Sequence, residues 1–79
     1  MIITAEISYY PLIDNYAAAV KEFLAAIDKS GIDVEVGTMS TILTGEYNAV
    51  MKVLNEGMSL VLEKYPSVFN VKISNSCRG

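Results

Sequence analysis

Polar and apolar residues alternate in three segments of the chain, a fourth segment is rich in β-branched residues, and two longer segments repeat apolar residues at helical spacing. Alternation predicts strands with one apolar face at residues 1–10, 33–37 and 67–76, and the β-branched residues predict a strand at 39–44. Helical spacing predicts one helix after Asp14 that Ser30-Gly31 stops, and a second that opens at 44–46 and ends at Pro66. The predicted order of elements is therefore β-α-β-β-α-β.

Each predicted helix carries its apolar residues on one stripe. The first stripe contains Tyr16, Val20, Phe23, Leu24 and Ile27, and the second contains Tyr47, Val50, Met51, Leu54, Met58, Val61, Leu62 and Tyr65. Asp14 and Thr44 are the expected N-caps, because their side-chain oxygens can accept from a free backbone N–H of the first turn. Gly57 lies off the second stripe, where it costs the helix up to about 1 kcal/mol relative to Ala.

The spacing of the elements predicts how they pair. A tight turn at Gly37-Thr38 joins the second and third strands. This connection is too short for a crossover, so these strands form a hairpin. Right-handed crossovers then predict a four-stranded antiparallel sheet with both helices on one face. The expected structure is a single α+β domain of the ferredoxin-like class spanning residues 1–79.

The sheet face without helices is expected to be polar. Its predicted residues from strands one, two and four are Thr4, Glu6, Ser8, Tyr10, Glu35, Lys72 and Ser74. Strand three adds either Ser40, Ile42 and Thr44 or the opposite set, because the turn at Gly37 can shift the register. Hydroxyl groups that both donate and accept suit a neutral polar heterocycle. A solvated face, or one pressed against a second subunit, is the alternative.

Composition narrows the chemistry. The chain has 6 Lys plus Arg, 9 Asp plus Glu, a net charge of −3, no His and one Cys, Cys77. No imidazole base, His metal ligand, internal disulfide or thiolate zinc site is therefore possible, and we expect neither catalysis nor a bound metal or cofactor. We interpret Glu6 and Glu35 as solvated carboxylates rather than an acid–base pair.

The same composition limits the partners. Negative charge and the lack of aromatic residues in the third strand argue against nucleic acid. No apolar run is long enough to cross a membrane and no signal peptide is recognisable, so we expect a cytoplasmic protein without a membrane partner. The chain is 52 % hydrophobic and too short to bury all of that surface, which favours a homo-oligomer.

Three short motifs stand at corresponding places in the predicted elements. They are Ser8-Tyr9-Tyr10-Pro11 at the end of strand one, Ser40-Thr41-Ile42-Leu43-Thr44-Gly45 at strand three, and Ser74-Asn75-Ser76-Cys77-Arg78-Gly79 after strand four. In this order they resemble the YkoF-like family of thiamine- and hydroxymethylpyrimidine-binding proteins. The likeness covers essentially the whole chain. It departs from some relatives at Gly37 and Thr38, where those relatives carry an acidic residue and a His.

The resemblance implies a non-enzymatic protein that binds thiamine or its hydroxymethylpyrimidine moiety and assembles as a homodimer or homotetramer. By motif position, the implied ligand-binding residues are Ser8, Tyr10, Ser40, Thr41 and Ser74. A Thr41 hydroxyl suits hydrogen bonding to an aminopyrimidine, and Tyr10 suits stacking on its ring.

A second hypothesis is a regulatory or assembly module that senses another small ligand, such as an amino acid, or none, at a subunit interface. Ferredoxin-like domains of that kind bind their amino acid near a glycine-containing first loop. Here the first loop contains Pro11 and no Gly, which disfavours this hypothesis.

Overall fold

The computed structural model describes residues 1–28 and 31–76 and has the predicted order of elements. These are β1 (Ile2–Pro11), α1 (Tyr16–Asp28), β2 (Asp33–Val36), β3 (Thr41–Glu46), α2 (Tyr47–Leu62) and β4 (Ser67–Ser74). The strands form one antiparallel sheet in the order β2-β3-β1-β4. Both helices pack on one face of it, so the ferredoxin-like prediction is confirmed.

Alternation along β1 separates the two faces of the sheet. Ile3, Ala5 and Ile7 are buried under the helices, whereas Thr4 and Glu6 between them are half-buried on the open face. Pairing of β1 with β3 and β4 carries this division across the sheet, because residues opposite each other in antiparallel strands share a face. Leu43 lies beside Ala5 on the helix-covered face.

The hairpin between β2 and β3 fixes the register that the sequence left open. Gly37 N–H donates to the Ser40 carbonyl oxygen at 2.8 Å, and β3 begins at Thr41 rather than at Met39. Thr41 pairs with Ile7 and is therefore on the helix-covered face. The open face consequently receives Ile42 and Thr44, with Ser40 just before the strand.

Several predicted element ends and one predicted cap are wrong. β2 ends at Val36, α2 at Leu62 and β4 at Ser74, each before its predicted end. β1 continues through Pro11, which pairs with Ser67, and β3 continues through Gly45 to Glu46. Thr44 therefore lies inside a strand and cannot cap α2. Glu46 is the N-cap, and its side chain accepts from the Asn48 N–H at 2.8 Å.

The first helix begins at Tyr16, two residues after the cap predicted at Asp14. Tyr16 is 63 % exposed, so it does not belong to the buried stripe. Beyond the helix, Gly31 has φ +82°, the left-handed conformation that was expected there. Ser30 and Cys77 lie outside the described residues.

Gly57 is buried in the core, which contradicts its predicted position off the stripe of α2. A Cβ added at this residue would lie 2.8 Å from Ile27 Cγ2 and 3.1 Å from Phe23 Cε1. The glycine therefore permits the close approach of α1 and α2. Val53 is buried beside it, whereas Leu62, predicted on the stripe, is 50 % exposed.

Within residues 1–28 and 31–76, neither helix combines the length and the apolar character that crossing a lipid bilayer requires.

Candidate functional site

A cavity of about 150 Å³ lies at one end of the helix-covered face, between α1 and the β2–β3 hairpin. Its lining comes from the sheet, the helix and the hairpin turn: Ile7, Tyr9, Val20, Phe23, Leu24, Val36, Gly37, Thr38, Met39, Ser40 and Thr41. None of these side chains carries a charge, so the cavity suits a neutral group.

The hairpin turn forms the outer wall of the cavity. A short hydrogen bond from Gly37 N–H to the Ser40 carbonyl holds it closed. A Cβ at Gly37 would lie 3.1 Å from that carbonyl oxygen, which explains why a glycine occupies the first position of the turn. Met39 lies at the tip and is 86 % exposed. A single exposed apolar side chain is ordinary on a protein surface, so Met39 by itself does not mark a binding surface.

Aromatic rings form the inner wall. Tyr9 stacks on Phe69 with ring centroids 4.4 Å apart and an interplanar angle of 3°. Phe23 packs against Tyr9 at 5.4 Å and 56°. The Tyr9 hydroxyl is within hydrogen-bond distance of Ser67 Oγ, at 3.1 Å. These contacts fix the orientation of Tyr9, so the wall is formed before any ligand arrives.

Hydroxyl groups of Thr38, Ser40 and Thr41 supply the polar part of the lining. Thr41 is the one buried polar residue among the described residues, at 8 % exposure. Ser40 Oγ donates to Glu6 Oε2 at 3.2 Å. Because Glu6 lies on the open face, Ser40 connects the rim of the cavity with the other side of the sheet.

The five residues predicted as ligand-binding do not form one group. Ser40 and Thr41 line the cavity, and Ser8 lies one position beyond the Ile7–Thr41 pair, on the open face. Tyr10 is 52 % exposed on the open face opposite Val68 and does not line the cavity.

Ser74 lies at the far end of the sheet. It pairs with Thr4, six residues along β1 from Tyr10, which corresponds to roughly 20 Å in a strand. Its hydroxyl accepts from the Ser76 N–H at 3.0 Å. Ser74 therefore caps the end of its own strand, and it lies with Thr4 on the open face, on the opposite side of the sheet from Thr41.

Sequence reasoning missed Tyr9 and Thr38 as lining residues. Alternation along β1 places Tyr9 on the same face as Ile7, and we assigned that face to the core alone. The register of β3 is the signal that identifies Tyr9. Thr41 faces the helices and pairs with Ile7. Tyr9 is two positions beyond Ile7 on the same face of β1, so it lies near Thr41. Thr38 belongs to a turn whose geometry the sequence did not determine.

The principal perturbed titratable groups lie away from this cavity. Lys64 Nζ donates to Glu22 Oε1 at 3.0 Å, and this bond lowers the pKa of Glu22, with a further lowering from the Tyr65 hydroxyl. The same contact with Glu22 raises the pKa of Lys64 and that of Tyr65. This cluster connects α1 to the end of α2 and is an exposed structural ion pair.

No group of three His, Cys, Asp or Glu side chains able to hold a metal ion occurs in the described part of the chain. The site is thus an uncharged, partly aromatic cavity with hydroxyl groups, on an α+β sandwich of small size. A concave, mostly apolar site with a few polar residues is a candidate for small-molecule binding.

Comparison with known families agrees with this class. The model of the family described as thiamine-binding protein matches residues 5–76. The chain therefore belongs to the thiamine-binding protein family, which confirms the resemblance seen in the three motifs. Among curated proteins, no sequence matches the chain.

Solved structures confirm the fold. A protein from Streptococcus pneumoniae is similar with a TM-score of 0.87 at 22 % identity, over 94 % of this chain and 86 % of that one. A hypothetical protein from Methanocaldococcus jannaschii gives 0.85 at 27 % identity, over 99 % and 84 %. A candidate thiamine biosynthesis or salvage protein from Thermotoga maritima gives 0.85 at 19 % identity, over 96 % and 85 %.

Proposed function

We propose that this protein binds the aminopyrimidine ring of thiamine, or free hydroxymethylpyrimidine, in the cavity between α1 and the β2–β3 hairpin. It binds the molecule without changing it and works as a homo-oligomer. Membership of the thiamine-binding family supports the ligand class, and the similar Thermotoga maritima protein is itself described in terms of thiamine biosynthesis or salvage.

The size of the cavity is the observation that carries the proposal. A closed cavity of about 150 Å³ in another protein accommodates one benzene ring, and the cavity here has about the same volume. One six-membered ring matches this volume, and because the cavity is open on one side, substituents of the ring can extend beyond it. The pyrimidine occupies the cavity in our proposal, and the thiazolium ring remains outside the rim.

The chemistry of the lining supports the same orientation. Every lining residue is uncharged, so the cavity contains no carboxylate that could neutralise a thiazolium cation. The aminopyrimidine is neutral and has both donors and acceptors, which match the hydroxyl groups of Thr38, Ser40 and Thr41.

Among the residues implied by the family motifs, Ser40 and Thr41 are the ones we assign to the ring. Ser8 and Tyr10 lie on the open face and Ser74 at the far end of the sheet, so in this proposal they do not contact the pyrimidine. The departure at Gly37 and Thr38 leaves the rim without an acidic residue or a His. We therefore expect hydroxyl groups, not a charged acceptor, to bind the exocyclic amine.

Calorimetric titration with hydroxymethylpyrimidine and, separately, with thiamine tests the proposal. We expect one site per chain for both compounds, with binding that is competitive between them. A thiazole alcohol that lacks the pyrimidine is the control and should give no saturable heat. Saturable binding of the thiazole alone, or no binding of either pyrimidine compound by folded protein, would contradict the proposal.

A further inference from the structure

One face of the Tyr9 ring is covered by a second aromatic ring. Tyr9 and Phe69 are paired across β1 and β4, and their rings stack with centroids 4.4 Å apart. This separation is close to the spacing of about 4.8 Å between neighbouring strands, so the stack runs across the strands and both rings stand upright on the sheet. Phe69 therefore covers the face of Tyr9 that is directed towards β4.

Phe23 does not cover the other face of Tyr9. The Phe23 centroid lies 5.4 Å from that of Tyr9 and 5.3 Å from that of Phe69, and its plane is tilted by 56° to both. A ring on the far face of Tyr9 would be much closer to Tyr9 than to Phe69, because the Tyr9 ring would lie between them. Phe23 thus packs from α1 across the edges of the two stacked rings.

The second face of Tyr9 is directed towards the cavity. Among the described residues, those that line the cavity belong to β1, α1 and the β2–β3 hairpin, and none belongs to β4. The cavity therefore lies on the β3 side of Tyr9, opposite Phe69.

The pairing of β1 explains why this side of Tyr9 is open. β1 pairs with β4 as far as Pro11, but it pairs with β3 only as far as Ile7. Continuing the register of β3 would bring Met39 opposite Tyr9, yet Met39 lies exposed at the tip of the turn. The place of a cross-strand neighbour of Tyr9 is thus left free, and the cavity occupies it.

We propose that the planar ring of the ligand stacks on the free face of Tyr9, in the place of the side chain that β3 does not supply. Phe69, Tyr9 and the ligand ring then form a stack of three rings across the sheet. Offset stacking of aromatic rings is favourable beyond the apolar area that it buries, so the site selects flat, unsaturated rings. This inference rests on the proposed function and adds to it the residue that recognises the ring.

The stack also defines how the hydroxyl groups meet the ligand. A ring parallel to that of Tyr9 has a plane that contains the direction of the strands. Thr41 lies two positions along β3 from the place opposite Tyr9, and it therefore meets the edge of the ligand ring. The nitrogen atoms of a pyrimidine lie on that edge, where a hydroxyl can donate to them or accept from an amine.

The Tyr9 hydroxyl holds its ring in place and is not free to donate to a ligand. Ser67 Oγ donates its one proton to the Tyr65 carbonyl oxygen at 3.0 Å. In its 3.1 Å contact with the Tyr9 hydroxyl, Ser67 can then only accept, so Tyr9 is the donor. Tyr9 therefore acts on the ligand through its ring face, and Ser67 is a positioning residue for that ring.

Proton NMR of hydroxymethylpyrimidine bound to the parent protein tests the stack directly. Protons that lie over the face of an aromatic ring are shielded, so we expect the ring-proton signal of the ligand to move upfield on binding. Tyr9→Leu keeps an apolar side chain but removes the flat face. It should abolish most of the upfield shift and weaken binding by about two- to twelvefold. Tyr10→Leu, on the open face, is the matched control and should keep the shift and the affinity of the parent.

A double-mutant cycle on Tyr9 and Ser67 tests the positioning bond. Tyr9→Phe keeps the ring face and removes the hydroxyl, and Ser67→Ala removes the acceptor. Each should weaken binding by less than about threefold, and the double variant should bind no more weakly than the weaker single variant, because both changes remove the same hydrogen bond. A Tyr9 hydroxyl that bonded to the ligand would instead give additive losses.

Circular dichroism checks the folding of every variant, and the parent spectrum with Tyr9→Phe decides the question if Tyr9→Leu does not fold. Saturable binding without an upfield shift would overturn the stack and leave the proposed function standing. A Tyr10→Leu variant as weak as Tyr9→Leu, or a Tyr9→Phe variant that loses the shift, would also overturn it. A folded parent protein that does not bind the pyrimidine would overturn the proposed function and this inference together.

Discussion

On the helix-covered face of the sheet, Ile3, Ala5 and Ile7 of β1 are fully buried, whereas the intervening residues Thr4 and Glu6 on the open face are only half-buried. The covered face holds the core and, at its β3 end, the cavity. The open face holds hydroxyl groups and a row of charges. Hydroxyl residues occur on both faces, and their surroundings decide what they do.

Thr41 and Thr44 illustrate this difference within one strand. Thr41 is buried and lines the cavity, while Thr44 is half-buried on the open face between Asp33 and Thr4. In a buried site a hydroxyl that loses its partner costs the full desolvation penalty, about 1–3 kcal/mol, whereas a hydroxyl exposed to water loses little. In our proposal, the buried hydroxyl contributes to ligand specificity, whereas the hydroxyl on the open face does not contact the ligand.

Leu43 and Ile42 are adjacent residues on opposite faces of the sheet. Comparing the stability that each loses on substitution by Ala tests whether the two faces differ in burial. Leu43→Ala should cost about 2–5 kcal/mol, because Leu43 is fully buried in the core. Ile42→Ala should cost about 1 kcal/mol, because its side chain lies half-buried on the open face. Urea unfolding at one protein concentration measures both. Equal losses for the two variants would show that the faces are not divided as described.

Gly57 tests how closely the helices approach the covered face. Gly57→Ala should lower the free energy of unfolding by about 1–2 kcal/mol, since overpacking against Ile27 and Phe23 outweighs the gain of up to about 1 kcal/mol in helix propensity. Ser59→Ala, at an exposed position of the same helix, is the control and should be neutral or slightly stabilising. A stabilising Gly57→Ala would contradict the close packing of α1 and α2.

Removing the ion pair between Glu22 and Lys64 should change the free energy of unfolding least among these variants. The size of that change should depend on pH. Folding lowers the pKa of Glu22 from its ordinary value of 4.5. Its contribution is therefore present above pH 4.5 and is lost as the pH falls through the folded-state pKa. The difference in unfolding free energy between the parent and Glu22→Gln should shrink on acidification and in high salt.

Glu56→Gln is the control for that titration. Glu56 is an exposed carboxylate that forms no ion pair within the described residues. A difference between the parent and Glu22→Gln that grows on acidification would reverse the sign that we assign. Toward alkaline pH, the raised pKa of Lys64 predicts a second loss of stability as that amine deprotonates.

The fold was predictable from sequence because five of the six elements carry a periodic signal and the remaining one, β3, is rich in β-branched residues. Alternation in β1 and β4 and the helical spacing in α1 and α2 gave the order, and the short β2–β3 connection gave the hairpin. Ends were less predictable. Thr44 and Glu46 both have capping side chains, and pairing with β1 decided that the strand continues as far as Glu46.

The site was only partly predictable, since motif position does not encode which face a residue occupies. Ser40 and Thr41 are consecutive, yet one bonds to Glu6 on the open face and the other is buried beside Ile7. Tyr10 was the predicted stacking residue, but the alternation of β1 turns Tyr10 away from the cavity and turns Tyr9 toward it. The position of Gly57 in the core also depended on helix–helix packing, which a single helical stripe does not describe.

Calorimetric titration of Thr41→Val and Thr44→Val with hydroxymethylpyrimidine tests the central claim most directly. Both variants remove one hydroxyl from β3 while keeping the side-chain shape, and they differ only in which face loses it. We predict that Thr41→Val weakens binding by about five- to 150-fold, the equivalent of about 1–3 kcal/mol. Thr44→Val should bind with the affinity of the parent. Equal affinities for the two variants, or a loss at Thr44 alone, would contradict the assignment of the ring to the cavity.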